Sequence, residues 1–258
     1  LAGIGFSRRM RWGAGEDTFS RPVQWLVASH AGRVLPASFC GVAAGRHSRG
    51  HRFLAPEPFD VVDDPFAYEE RLEARKVMVD PARRRGLILE EGRRLARSVG
   101  GRLMEAEALL DEIVQLVEWP VPLLGEFDPR FLEVPKEVLV SEMVEHQRYV
   151  PVLREGGDGL APRFVVVANT EVEDPARSLA GYRRVLTARF SDGAFFFRED
   201  QKVPLFDRLE ALESVRFHRK LGSVRAKVER FTALAFEIAG RLADEVEGLE
   251  PRPAGVEP

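Results

Sequence analysis

The sequence predicts an α+β fold in which a mixed or antiparallel sheet packs with helices and an all-helical segment follows. Three observations support this class. Short apolar runs alternate with helical patterns, one pair of runs flanks a glycine-rich turn typical of a hairpin, and from Arg198 onward apolar residues recur at helical spacing. We expect an α+β domain over residues 1–198, a helical segment over 199–247 and a disordered tail over 248–258.

Length and composition limit the class of protein. The chain has 258 residues, 45% of them apolar, which is enough to bury a core without a metal or disulfide. Its one cysteine excludes an internal disulfide, and no apolar run reaches the roughly 20 residues that a transmembrane helix needs. We therefore expect a soluble, cytoplasmic protein, and Leu1 in place of methionine suggests an internal piece of a longer polypeptide.

The N-terminal part predicts two short strands joined by a tight turn. The apolar runs over residues 20–29 and 33–42 are separated by His-Ala-Gly, and their prolines belong at strand starts or edges. Cys40 lies in the second run, where a buried thiol packs as a small hydrophobic group with a raised pKa. The polar, glycine-containing section 43–57 predicts a loop.

Asp-Pro pairs indicate where three helices begin. An N-cap aspartate accepts hydrogen bonds from free backbone amides, and proline at the next position loses no bond because its missing N–H would be unpaired there. Amphipathic spacing adds two further helices. The predicted helices cover residues 64–75, 80–99, 109–117 and 135–146, and a last one begins at Asp174.

Apolar runs between these helices predict the main sheet. Residues 121–124 have the composition of a buried strand. Residues 149–153 and 163–168 flank a Gly-Gly-Asp-Gly turn at 156–159, which predicts a β-hairpin.

The sequence contains no self-contained catalytic or metal-binding pattern. None of the five histidines has the spacing of a zinc protease motif, and Glu142, Glu145 and His146 form a poor ligand set with a single imidazole. The Gly-Ala-Gly triplet at 13–15 lacks the third glycine of a dinucleotide-binding loop. We therefore predict no catalytic residue, no metal ligand and no cofactor in this chain.

Two arginine-rich segments are the candidate functional residues. Residues 1–52 contain eight arginines and two acids, a net charge of +6; because the whole chain carries −3, the other 206 residues carry −9. Guanidinium groups bind phosphate bidentately and aromatic rings stack on exposed bases, so the pattern predicts RNA contact. The candidates are Arg46, Arg49, His51 and Arg52, supported by Arg8, Arg9, Arg11 and Trp12, with Arg183, Arg184 and Arg189 as a secondary cluster.

A series of short strings occurs in a particular order along the chain. They lie at residues 9–13, 19–23, 49–53 (Arg-Gly-His-Arg-Phe), 117–120 (Val-Glu-Trp-Pro), 143–151, 164–169, 184–186, 195–197 and 220–222. Together they extend from residue 8 to about residue 240, and this order resembles the β subunit of the bacterial two-subunit glycyl-tRNA synthetase.

This resemblance implies both partners and an activity. The family enzyme is a tetramer of two α and two β chains that joins glycine to its tRNA with ATP and Mg²⁺, and its aminoacylation site lies on the α chain. The implied partners are a glycine-acceptor tRNA, the α subunit and a second β subunit, with neither DNA nor a membrane. The first domain is then similar to the editing-type domain of the phenylalanyl-tRNA synthetase β chain, and the helical segment begins an HD-type domain. No His-Asp dipeptide occurs, so that domain's metal chemistry is not transferred.

Three roles remain open at this point. The leading hypothesis is a non-catalytic, tRNA-facing fragment that is inactive alone. A structural module that holds the α chain would instead bury Arg9, Arg49 and Arg52 in ion pairs with acids such as Glu16, Asp17 or Glu57. An editing-like hydrolase would need a water-positioning group and a small side-chain pocket, and the sequence shows neither.

Overall fold

The computed structural model describes residues 3–245, which divide into two compact units at Gly193. The first unit comprises the residues up to Gly193 and contains the main sheet, and the second begins at Ala194. The predicted domain boundary at residue 198 lies close to this division. The α+β class is confirmed, since the first unit contains helices and mostly antiparallel strands.

The N-terminal part of the first unit consists of very short strands. They are β1 (Met10–Arg11), β2 (Thr18–Phe19), β3 (Leu26–Val27), β4 (Ser29–His30), β5 (Arg33–Val34), β6 (Ser38–Phe39), β7 (Val42–Gly45), β8 (His47–Arg49) and β9 (Pro58–Asp60). Strands β1 and β2, β4 and β5, β6 and β7, and β8 and β9 pair antiparallel, whereas β3 pairs parallel with β7. Phe19 packs edge-on against Phe6 and Phe39, with ring centroids 4.9 and 5.1 Å away, so these ladders share an aromatic contact.

The structure confirms one N-terminal prediction and corrects two others. The predicted strand–turn–strand exists in shortened form, as β4 and β5. The predicted loop over 43–57 is wrong in part, because most of β7 and all of β8 lie within it. In β8 only the middle residue, Ser48, is buried, so no apolar run reveals the strand. Cys40 lies half-buried in a turn at φ +50° rather than buried in a strand, so the expected core position is wrong; partial burial, followed by the charge of Asp17, still raises the pKa of its thiol.

The helices predicted from the Asp-Pro pairs begin at the expected caps. Asp64 accepts hydrogen bonds from the amides of Phe66 and Ala67, and Asp80 accepts one from Ala82. The helices are α1 (Tyr68–Glu73), which follows a 3₁₀ turn at Pro65–Ala67, α2 (Pro81–Arg97), α3 (Glu107–Leu116), α4 (Lys136–Ser141), which continues into a π-helical turn at Glu142–Gln147, and α5 (Pro175–Gln201).

The main sheet is antiparallel and contains the predicted hairpin. Its strands are β10 (Gly101–Leu103), β11 (Val121–Glu126), β12 (Val150–Arg154) and β13 (Leu160–Ala168), in the order β10-β12-β13-β11. Strands β12 and β13 form the hairpin, with Leu153 opposite Leu160. Helices α2 and α3 pack on one face, where Ile88 and Ile113 join Val165 in an apolar cluster.

The other face of the sheet is aromatic and is covered by α5. The Tyr149 ring stacks on Phe164 with centroids 4.9 Å apart and meets Tyr182 of α5 edge-on. Phe190 of α5 contacts Phe127 at a centroid distance of 5.0 Å. Burial, with a smaller contribution from Tyr182, raises the pKa of Tyr149 to about 12. The first unit is therefore built of helices, sheet and helix in three layers.

The aromatic face depends on a glycine in β11. Gly125 lies opposite Phe164 in the sheet register, and a Cβ at this position would be 2.3 Å from the Cζ of the ring. We expect Gly125→Ala to destabilise the protein by about 1–3 kcal/mol, because a fully buried, stacked ring has little room to move. Urea unfolding of the full-length chain measures the change. Gly86→Ala, at an exposed helical position with open space, is the control and should be neutral or stabilising; a wild-type midpoint for Gly125→Ala would contradict the prediction.

The second unit contains the end of α5 and a small hairpin before a long helix. Its remaining elements are 3₁₀ turns at Phe206–Arg208 and Glu210–Glu213, strands β14 (Arg216–His218) and β15 (Gly222–Ser223), and helix α6 (Val224–Glu245). The all-helical prediction is wrong at residues 216–223, where the helical spacing of apolar residues lapses and Gly222, at φ +83°, closes an antiparallel pair. Residues 246 and 247 and the predicted disordered tail 248–258 lie outside the described residues. Across positions 3–245, no helix combines the length and apolar character needed to cross a membrane.

Candidate functional site

The arginine-rich segment Arg49–Phe53 forms a loop whose backbone path is tightly fixed. A Cβ on Gly50 would lie 2.5 Å from the Cβ of Arg75 and within 2.9 Å of two backbone carbonyl oxygens. The amide of His51 donates to the carbonyl of Arg75 at 2.9 Å, and its own carbonyl accepts from Ala55 at 2.9 Å. Only glycine therefore fits at the start of this loop.

His51 is buried beneath the loop and has a defined tautomer. Its Nδ1 accepts from the backbone amides of Phe53 and Leu54, at 3.3 and 3.2 Å. The proton therefore resides on Nε2, which donates to the carbonyl of Asn169 at 2.5 Å. Because the residue is only 1% exposed, its ring is not available to an RNA ligand, and the structure corrects the expectation that His51 contacts RNA.

The Asn169 side chain extends this network to the sheet. Its Oδ1 accepts from the amides of Glu118 and Trp119, at 2.7 and 3.0 Å. Asn169 directly follows β13, and the other two residues lead into β11. The strings at 49–53, 117–120 and 164–169, which are far apart in sequence, thus meet at one point.

Arg46 stabilises the hairpin that precedes the loop. Its guanidinium donates to the carboxylates of Asp60 at 2.6 Å and Asp63 at 2.5 Å, which raises the pKa of Arg46. The amide of Val62, followed by Arg46, lowers the pKa of Asp60. Two carboxylates neutralise Arg46. This arginine therefore has a structural role through ion pairs within the chain, as the structural-module hypothesis describes.

The Asp60 carboxylate makes the fold sensitive to acid. Because the pKa of Asp60 is lower in the folded state, its carboxylate stabilises the fold at pH values above the ordinary aspartate pKa of about 3.9. This contribution is lost as the pH falls through the pKa of the folded state. We expect Asp60→Asn to show a smaller decrease in thermal midpoint than the wild type between neutral pH and about pH 3. Asp192→Asn is the control, because Asp192 is exposed and has no ion-pair partner within the described part of the chain. Equal acid sensitivity of Asp60→Asn and wild type would refute this assignment.

Arg49 and Arg52 are exposed and unneutralised. Arg49 donates to the carbonyl of Pro56 at 3.3 Å, and within residues 3–245 neither guanidinium has a carboxylate within 4.0 Å. The structural-module hypothesis predicts ion pairs for Arg49 and Arg52, and these are absent among the described residues. Phe53, next to Arg52, is 77% exposed. This loop presents cationic and aromatic groups to solvent.

A groove with cationic and aromatic walls lies on one side of this loop. It has a volume of about 900 Å³, and we call it the Arg–Trp groove. Trp25 in its wall is 45% exposed. The sequence analysis missed this tryptophan because the strings at 19–23 and 49–53 become neighbours only in the fold. The lining residues are Pro22, Val23, Gln24, Trp25, Arg49, Gly50, Arg52 and Pro56.

A larger cleft, of about 990 Å³, also borders the loop; its lining has mixed charge, and we call it the mixed cleft. Its acidic lining residues are Glu118, Glu171, Glu173 and Asp174, and its basic ones are Arg52, Arg84 and Arg177. Lys76 pairs with Glu171 at 2.7 Å and lowers the pKa of that carboxyl. The only histidine in the lining, His51, has both ring nitrogens engaged in hydrogen bonds, so the cleft has no free imidazole base.

The remaining candidate residues lie elsewhere in the first unit. Arg9 donates to the carbonyl of Ile4 at 2.7 Å, Arg11 pairs with Glu16 at 3.3 Å, and Arg183 lies 3.6 Å from Glu126. Neither cavity beside the loop includes any of the following: Arg8, Arg9, Arg11, Trp12, Arg183, Arg184 and Arg189. Within residues 3–245, no group of three or more His, Cys, Asp or Glu side chains is placed to hold a metal ion.

Comparisons with known proteins point to one family. The model of the glycyl-tRNA synthetase beta subunit family matches residues 1–252. A glycine–tRNA ligase beta subunit of Myxococcus xanthus (strain DK1622) is 48% identical over 233 residues, covering 90% of this chain and 33% of the relative. Those of Geobacter sulfurreducens and Syntrophus aciditrophicus are 45% and 42% identical, covering 98% of this chain and 37% and 36% of the relatives. The chain thus spans about a third of the length of the curated relatives that it matches.

Proposed function

Because this chain belongs to the glycyl-tRNA synthetase β subunit family, we propose that it is a non-catalytic, tRNA-facing part of a β chain. In this proposal the α subunit uses ATP and Mg²⁺ to attach glycine to the tRNA in the cytoplasm. The partners are that tRNA, the α subunit and a second β subunit of a tetramer. The first unit is proposed to be an editing-type domain that supports the reaction through RNA contact.

The observation that carries this proposal is the loop Arg49–Phe53. Two exposed guanidinium groups without carboxylate partners in the described chain can each bind a phosphate bidentately. The exposed ring of Phe53 adds a stacking surface of the kind that RNA-binding proteins use. The loop is held by backbone bonds and by His51, so little ordering entropy opposes binding. A preformed cationic loop with an aromatic tip suits a polyanion.

Phe53 also favours a second candidate, an assembly module that contacts the α subunit. A phenylalanine that is 77% exposed suits a protein interface as well as a nucleobase.

The editing alternative has less support, since both nitrogens of the only imidazole that lines the mixed cleft are already hydrogen-bonded. Incubating mischarged glycine-acceptor tRNA with the assembled synthetase tests it: hydrolysis above the buffer rate that is lost on blocking the cleft would favour editing.

A photo-crosslinking amino acid at position 53 separates RNA contact from assembly. The full-length β chain is made with benzoylphenylalanine at this position, combined with its α chain and irradiated with glycine-acceptor tRNA. We expect a crosslink to tRNA. The matched control places the same group at Phe66, which is 98% exposed and lies at a 3₁₀ turn outside the loop. Crosslinking of position 53 to the α chain instead would overturn the proposal in favour of assembly.

A further inference from the structure

The Arg–Trp groove differs from the mixed cleft in the sign of its charge. Its only charged lining residues are Arg49 and Arg52, whereas four acids are among the residues that line the mixed cleft. We propose that this groove is a binding site for one unpaired nucleotide of the RNA, with the base on Trp25 and the flanking phosphates on the two arginines. The inference rests on the proposed function, because it deepens RNA contact into a defined site.

Trp25 has the position and support that a stacking platform needs. It directly precedes β3, which pairs parallel with β7 through Leu26 and Ala44. Strand β3 also contacts β8, the strand that ends at Arg49. Trp25 therefore lies next to paired backbone, and it lines the same groove as the two arginines. At 45% exposure it offers a face to solvent while the remainder of the residue is packed.

The polar groups of the groove match a nucleotide. An arginine fork pairs with two phosphate oxygens, and stacking on an indole accepts any base that is not already stacked in a helix. Gln24, also in the lining, makes no side-chain hydrogen bond to a described residue, so its amide can donate to and accept from a base edge. A volume of about 900 Å³ accommodates a ligand of this size with its flanking backbone.

Three single variants of the full-length β chain, each assembled with its α chain, test the site. Stacking on an aromatic residue gives an expected loss of tRNA affinity of about 5- to 150-fold for Trp25→Leu, which keeps an apolar side chain but no π face. Trp25→Phe should retain most of the affinity. Gln24→Ala should lose less than Trp25→Leu. None of these changes removes a charge, so the dependence of affinity on salt should stay as in the wild type.

A fluorescent base analogue identifies the nucleotide. Each unpaired purine of the tRNA is replaced in turn by 2-aminopurine, and one of them should be quenched on binding wild-type synthetase but not on binding Trp25→Leu. If the Trp25→Leu variant binds tRNA with the same affinity as the wild type, the inference is overturned. Weakened assembly with the α chain at unchanged tRNA affinity would also overturn it, because the groove would then be a protein interface.

The arginine variants separate this inference from the proposed function. If Trp25→Leu has no effect while loss of Arg49 and Arg52 still weakens tRNA binding, only the nucleotide site is wrong. If loss of the arginines also has no effect, RNA contact by this loop is wrong as well.

Discussion

Replacing His51 with alanine is expected to destabilise the first unit by about 2–4 kcal/mol and to weaken tRNA binding, although the imidazole is buried. The variant leaves the amides of Phe53 and Leu54 and the carbonyl of Asn169 without their partner. Each buried polar group left unpaired costs about 1–3 kcal/mol, and relaxation of the loop recovers part of the sum. Thermal unfolding and hydrogen exchange at the amides of residues 53 and 54 measure the loss of stability, and the tRNA affinity of the assembled synthetase measures the loss of binding.

Two further substitutions distinguish the roles of the two ring nitrogens of His51, Nδ1 as acceptor and Nε2 as donor. Asparagine can accept from amides two and three residues later in the chain, as Nδ1 does, so His51→Asn should retain part of the loop's protection from exchange. Glutamine reaches further and can donate toward Asn169. His47→Ala is the matched control, because His47 is exposed on β8. If His51→Ala and His47→Ala behaved alike, the buried network would not be what holds the loop.

The double variant Arg49→Gln/Arg52→Gln is expected to lower tRNA affinity of the assembled synthetase by about 10- to 100-fold at low salt, through the loss of charged contacts. Thermal stability should hardly change, since neither side chain pairs with a carboxylate of the described residues. The matched control, Arg93→Gln/Arg97→Gln, removes the same charge from exposed positions on α2 that form no ion pair within residues 3–245. Equal losses in both variants would indicate a general charge effect instead of a contact.

Arg46 provides a second contrast, close to the loop in sequence. It is one of the candidate arginines but is bound by Asp60 and Asp63. Arg46→Gln is therefore expected to reduce stability more than it reduces tRNA affinity, the opposite of the Arg49/Arg52 variant. The sequence could not distinguish these arginines, because the two aspartates are brought to Arg46 by the pairing of β8 with β9.

Local signals in the sequence predicted much of the first unit. Asp64 and Asp80 begin their helices as caps, and the turn after residue 155 joins β12 to β13, because capping and turn formation depend on neighbouring residues. The hairpin of β8 and β9 was missed, since each strand is three residues long and buries only its middle residue. Local periodicity also gave no reason to end the helical pattern before β14.

The site was predictable in composition but not in arrangement. Arg49 and Arg52 were identified by charge, and the structure leaves both exposed. His51 was assigned with them because it lies between them, yet a bond to Asn169, 118 residues away in sequence, places it inside. Trp25 was overlooked for the same reason, because it comes close to Arg49 and Arg52 only in the folded chain, where β3 pairs with β7. Contacts between distant segments decide which polar residues of a motif face solvent.

The salt dependence of tRNA binding tests RNA contact by this loop most directly. Affinity of the assembled synthetase is measured over a range of salt concentrations for the wild type, Arg49→Gln/Arg52→Gln and Arg93→Gln/Arg97→Gln. If both loop arginines each neutralise a phosphate, the slope of log affinity against log salt becomes shallower by about 1.4–1.8 in the first variant and stays as in the wild type in the second. A slope unchanged by loss of Arg49 and Arg52 would contradict the account and remove the loop from the RNA interface.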